Sequence, residues 1–178
     1  FSVNIEGETQ CLCGLICNHE IIGENGKCSL CEQQIYVAVL IKADGTKTNY
    51  ESFTDAWTAA VENIGSTLKL LSDTDLGGDS EILVLESGKF TFDLGGFAVT
   101  ASTSERLLEV GGMAEIVIKN GELKNTYSAS GDGQAFKSSA NAIIQKGGTV
   151  TLDGVKLAGG NGTGGEAGGY VQSYAIIM

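Results

Sequence analysis

The chain has 178 residues, 42% of them hydrophobic, with 26 glycines, no proline and a mean hydropathy of +0.08, which is enough apolar material for one buried core. A formal charge of −11, from 22 acidic and 11 scattered basic residues, argues against nucleic acid, because neutralising phosphates needs clustered lysine and arginine. No stretch approaches the roughly 18 apolar residues of a membrane-spanning helix, so no membrane insertion is expected of this segment.

Residues 1–34 form a compact Cys/His-rich segment. All five cysteines and the only histidine fall between Cys11 and Cys31. Cys28-x-x-Cys31, on a turn at Gly26-Lys27, reads as a metal knuckle, since two thiolates two residues apart can hold one ion from a tight turn. Cys17 and His19 would complete a tetrahedron, with Cys13 and Cys11 as ligands of second rank. A segment too small for a core of its own would draw folding energy from a structural Zn2+. Disulfides are the rival, as in exported proteins, although five thiols cannot all pair. A thioredoxin-like redox role lacks the α/β pattern, and catalytic zinc lacks a helix motif bearing a general base.

Residues 35–66 read as strand, turn and helix. Tyr36–Ile41 is a short apolar run closed by the turn signal Asp44-Gly45. Ser52 is the expected N-cap of the helix, with Asp55 three residues on. Phe53, Ala56, Trp57, Ala60 and Val61 make one apolar stripe, and Gly65 lies near the expected end. The stripe is expected to cap the open end of the structure that follows, with Trp57 packed in its core.

From residue 67 to 178 a phrase recurs: an apolar doublet or triplet, a glycine turn, a strand of period two and a second glycine turn. Its turns fall at Ser87-Gly88, Gly111-Gly112 and Gly147-Gly148, at intervals of 24 and then 36 residues, and Tyr174–Met178 begins it again. Alternation in Phe90–Leu94, Glu115–Ile118 and Thr149–Leu152 would place apolar side chains in a shared column, one rung above the next. The fold expected is mostly β: a right-handed parallel β-helix, a solenoid with an N-terminal helical cap and a small metal-binding segment. A sandwich of hairpins is the competing structure. Because the phrase breaks off at Met178 and Phe1 is not an initiator, the chain is expected to be an N-terminal piece of a longer protein, its coils cut short at the C-terminus.

Few residues of the coils suggest catalysis. Asp93, Asp153 and Glu115 stand near strand ends, where acidic residues serve turns more often than reactions, and Arg106 is the only arginine. Asp73, Asp75 and Asp79 lack the spacing of an EF-hand loop and read as solvated. Two insertions are more suggestive. Tyr127 and Phe136 lie in one and Tyr170 in the other, among Ser, Gly and Asn, a composition suited to binding, while tolerated mobile bulges are the bland alternative.

The run CNHEIIGENGKCSLCEQQI, followed by TNYESFTDAWTAAVENIGSTLKLLSDTDL and glycine-punctuated strands, resembles large multidomain cell-surface proteins of Gram-positive gut bacteria that carry pectin-lyase-like β-helices. Tyr50, Ser52, Phe53, Ala56, Ala59 and Ala60, then Thr67, Leu68, Leu70, Leu71 and Asp73, carry the likeness, from which Cys11 and Cys13 depart. The resemblance implies an extracellular location at the bacterial cell surface or wall. It also implies a non-catalytic, adhesin-like or spacer module whose partner is a host protein or glycan, with immunoglobulin and mucin as candidates. The alternative is a fragment of a carbohydrate-active β-helix enzyme, a polysaccharide lyase or hydrolase, since one fold carries both uses. A zinc-dependent recognition domain is the third reading.

Overall fold

The computed structural model describes residues 19–78, 83–130 and 140–163, together with short strands at 2–3, 9–10 and 176–177. Strand dominates, with one helix among the described residues. β1 (Ser2–Val3) and β2 (Thr9–Gln10) form a small antiparallel pair. β3 (Ala38–Ile41) and β4 (Lys47–Tyr50) are the hairpin expected from Asp44-Gly45. Its turn is fixed by the Asp44 carboxylate, which accepts from the Thr46 amide at 2.9 Å.

Helix α1 (Phe53–Glu62) starts where Ser52 predicts, with the Ser52 hydroxyl accepting from the Asp55 amide at 3.3 Å. Phe53, Ala56, Trp57 and Ala60 are buried and Val61 is partly so, which makes the stripe a packing face. That face meets β3, β4, β5 (Ser66–Leu70) and β8 (Lys89–Asp93). Trp57 stands edge-on to Phe90 and Phe92, with ring centroids 5.3 and 5.5 Å away, so it belongs to the core as expected.

Between and beyond these lie β6 (Thr74–Asp75), β7 (Leu83–Leu85), β9 (Ala98–Ala101), β10 (Arg106–Val110), β11 (Glu115–Asn125), β12 (Ser128–Ser130), β13 (Asn141–Gln145), β14 (Thr149–Ala158), β15 (Asn161–Thr163) and β16 (Ile176–Ile177). All these pair in parallel, and β5 pairs in parallel with β8 while meeting β3 in antiparallel register. One sheet has the order β16-β13-β10-β7, and the largest runs β4-β3-β5-β8-β11-β9-β6 with β14 on β11. The described strands from Ser66 onward are therefore not hairpins, contrary to what a sandwich would need. Neither sheet closes on itself.

The register explains the repeated phrase. Phe90, Ile116 and Val150 share one column, and Phe92, Ile118 and Leu152 the next. Backbone hydrogen bonds continue through the corners: the Lys146 amide donates to the Val110 carbonyl and the Thr149 amide to the Ala114 carbonyl, both at 2.7 Å. Gly88, Gly112 and Gly148 all adopt positive φ at these turns. A second corner bends β11 at Asn120 (φ 58) and β14 at Gly154 (φ 63), each in the left-handed region that asparagine and glycine tolerate. Outside the core, Lys69, Asp93, Lys119 and Asp153 stack in one outward column of alternating sign, with Lys119 3.5 Å from the Asp93 carboxylate.

Asn125, fully buried at the end of β11, ties three passes of the chain together. Its amide nitrogen donates to the carbonyls of Thr103 at 2.9 Å and Asn141 at 3.4 Å, and its oxygen accepts from the amides of Thr103 and Tyr127. A buried side-chain amide satisfied in this way fixes the root of the insertion that follows.

Candidate metal centre

The Cys/His segment builds its site from turn chemistry. Ile22 and Cys28 form one antiparallel bridge and Lys27 and Gln34 another, around a turn in which the Asn25 oxygen accepts from the Lys27 amide at 3.1 Å. Gly26, at φ 75, is the expected pivot: a Cβ there would run into the Tyr36 carbonyl and the Gln34 side chain and would come to 3.0 Å from Leu71 Cδ1. Its carbonyl accepts from the amides of Ile35 and Tyr36, while the Gln34 side chain donates to the carbonyls of Asn25 and Tyr36. The segment is thus joined by hydrogen bonds to the backbone leading into β3.

Cys28 and Cys31 then close a tight knuckle, with the Glu32 amide donating to the Cys28 carbonyl at 2.8 Å and the Cys28 amide to the Gln33 carbonyl at 2.9 Å. Glu32 has φ 61, the left-handed conformation that turns the chain back after the second cysteine. Both cysteines are buried, and Cys31 Sγ lies 3.4 Å from His19 Nδ1. The ligand atoms of His19, Cys28 and Cys31 all fall within 4.8 Å of one another, against about 3.8 Å for sulfurs around a tetrahedral ion, so these three residues are positioned to bind a metal ion. Cys17, Cys13 and Cys11, the expected sources of a fourth ligand, lie outside the described residues.

The other expected sites are less developed. Tyr127 is half-buried at the root of its insertion, and its backbone lies against Gly160; Phe136 and Tyr170 lie outside the described residues. Asp73 and Asp75 are spent on structure, accepting from the amides of Ala98 and Gly77, while Asp79 lies outside. Glu115 pairs with Lys89 at 2.6 Å, and Lys119 stands between Asp93 and Asp153.

One charged cluster had no sequence signal. Glu109, only 6% exposed although it lies on the outward side of β10, is ion-paired with Arg106 and with Lys146 at 2.7 Å. The hydrogen bond from Lys146 and the charges of both bases hold its carboxyl below the ordinary glutamate range, against the opposing effect of burial. Period-two reading puts Arg106 and Glu109 on opposite faces of a strand, so only the folded chain reveals the pair.

No protein family, curated protein or solved structure matches the chain.

Proposed function

We propose that this chain is a non-catalytic module of a bacterial cell-surface protein, a right-handed parallel β-helix capped by α1 and stapled at its N-terminal side by structural Zn2+. One observation carries the reading. Strands separated by a full repeat pair in parallel, residue for residue, in β8-β11-β14 and in β7-β10-β13. Such stacking makes a stiff scaffold whose insertions emerge from its sides, suited to spacing or to presenting loops to a partner.

The zinc assignment rests on the donor set. Two thiolates and an imidazole on a knuckle are a borderline-soft environment that favours Zn2+ over hard cations, and Cys17 supplies the fourth ligand in this reading. The segment has little core of its own, so metal binding contributes directly to its folding. The non-catalytic assignment is supported by Glu115 and Asp93, which are engaged in ion pairs with Lys89 and Lys119, and by Lys119 standing between Asp93 and Asp153.

The partner is a host protein or glycan, met extracellularly at the cell surface or wall. A glycan array and a pull-down from host serum and mucus, run on this chain with metal analysis by mass spectrometry, test the proposal. Saturable binding together with one zinc per chain is the expected result. Hydrolysis or elimination of a polysaccharide would instead favour the carbohydrate-active enzyme, and binding unaffected by loss of the β-stack would favour a recognition role for the metal segment alone.

A further inference from the structure

The two thiols of the metal knuckle are placed for a second chemistry. The Glu32 amide donates to the Cys28 carbonyl at 2.8 Å, an i+4 to i bond that closes one α-turn around both cysteines. Three residues apart in that turn, their sulfurs lie within 4.8 Å of each other and remain thiols, so side-chain rotation carries them toward the roughly 2 Å of a disulfide. His19 Nδ1, 3.4 Å from Cys31 Sγ, holds the second thiol in this arrangement.

Access to the pair is one-sided. A depression of about 390 Å³ beside the knuckle is lined by Asn25, Lys27, Cys28, Ser29 and Glu32, and Cys31 is not part of its wall. Cys28 is only 1% exposed, so a small oxidant reaches its sulfur where a bulky reagent finds no room. Asn25, Lys27 and Ser29 bring hydrogen-bond donors to the same wall, and the ammonium of Lys27 suits the hydroxide that a peroxide releases.

We propose that Cys28 and Cys31 are an oxidation site for hydrogen peroxide, at which Cys28 reacts first, Cys31 resolves it and the bound metal leaves. The proposal rests on the metal reading above and names what ends that binding. The Cys28 thiolate attacks one peroxide oxygen, the O–O bond breaks, and hydroxide departs from the sulfenic acid left on Cys28. The Cys31 thiolate then attacks the Cys28 sulfur, the S–S bond forms, the S–O bond breaks and a second hydroxide departs. Two protons from solvent convert the two hydroxides to water. The thiols are oxidised by two electrons and the peroxide is reduced by the same two. A disulfide is not a thiolate ligand, so the ion loses two of its donors at once. An extracellular setting, as in the surface-module reading, supplies oxidising conditions.

The test uses the full chain loaded with one zinc ion and treated with hydrogen peroxide. Released zinc is followed with a chromophoric chelator, thiols are counted, and disulfides are mapped by peptide mass spectrometry. Zinc release in step with the loss of two thiols is expected, together with a Cys28–Cys31 disulfide and renewed zinc binding after a dithiol reductant. Glutathione disulfide, which is much larger, should release zinc at least about tenfold more slowly at equal concentration. Cys31→Ser should stop at the sulfenic acid, captured by dimedone on Cys28, and circular dichroism verifies that its sheets are folded. Zinc retained with both thiols intact would overturn the proposal and leave the metal reading standing. A disulfide from either residue to Cys11, Cys13 or Cys17, or equal rates with the two oxidants, would also overturn it. A chain that takes up no zinc before oxidant is added would instead remove the metal reading, and the expulsion step with it.

Discussion

A methyl group placed on Gly148 would overlap the carbonyl of Ala114, at the preceding glycine turn. Gly148 also has φ 66, so backbone conformation and the close approach of two turns both demand glycine there. Gly45 is the useful contrast, because it has φ 86 but nothing within 4 Å of where a Cβ would stand. Gly45→Ala should therefore cost about 1 kcal/mol, the conformational part alone. Gly148→Ala should cost about 2–4 kcal/mol, because the clash involves backbone that cannot rotate away. Urea denaturation of the two variants decides whether turn stacking limits the stability of the fold.

The Trp57–Phe90 contact gives a second prediction. The indole is 6% exposed and packs on the rings of Phe53, Phe90 and Phe92. Trp57→Ala should destabilise the chain by about 3–5 kcal/mol, through lost burial and a cavity between helix and sheet. Trp57→Phe keeps an aromatic in place and should lose less than half of that. Calorimetry of both variants measures the difference, and near-equal losses would show that the helix is not packed as described.

Much of this is readable from residue order. Ser52 with Asp55, the stripe from Phe53 to Ala60, the Asp44-Gly45 turn and the three glycine corners are local signals, and each element forms where its chemistry requires. Cys28-x-x-Cys31 and His19 are likewise legible, because a knuckle is set by short spacing. What residue order hides depends on register between parallel strands. The alternating column from Lys69 to Asp153, the burial of Glu109 between two bases and the three-pass anchoring by Asn125 join residues far apart in the chain, at intervals that differ from one strand pair to the next. Strands β6 and β9 escape a sequence reading for a related reason: they are short, and partners elsewhere in the chain define them.

Metal removal should act locally. Treatment with a strong chelator is expected to expose residues 19–34 to proteolysis and leave the circular dichroism of the sheets nearly unchanged, because hydrogen bonds at Gly26, Gln34 and Tyr36 join the segment to β3 without forming part of the stack. Cys31→Ser should abolish stoichiometric metal. Glu32→Gly should have the opposite sign: it relieves a left-handed non-glycine residue and should tighten metal binding by about 1 kcal/mol, roughly fivefold. Competition with a chromophoric metal chelator measures both changes.

Glu109 makes acid stability testable. Its folded-state carboxyl is held below the ordinary glutamate value of 4.5, chiefly by the hydrogen bond from Lys146 and then by the charge of Arg106, while burial works the other way. A carboxylate with a lowered folded value binds protons more readily in the unfolded chain. Its contribution to stability is therefore fully present above about pH 4.5, the unfolded value, and is lost as pH falls from there through the lower folded value. Glu109→Gln removes this proton-linked contribution and leaves Arg106 and Lys146 facing a neutral amide. Since Lys146 is 58% exposed and can turn to water, the cost at neutral pH should be about 1–2 kcal/mol, below that of breaking a fully buried pair. Denaturation midpoints of the two proteins should differ at pH 7 and converge as pH falls below 4.5. A constant difference down to the acid limit would show that Glu109 is not held ionised by its two bases.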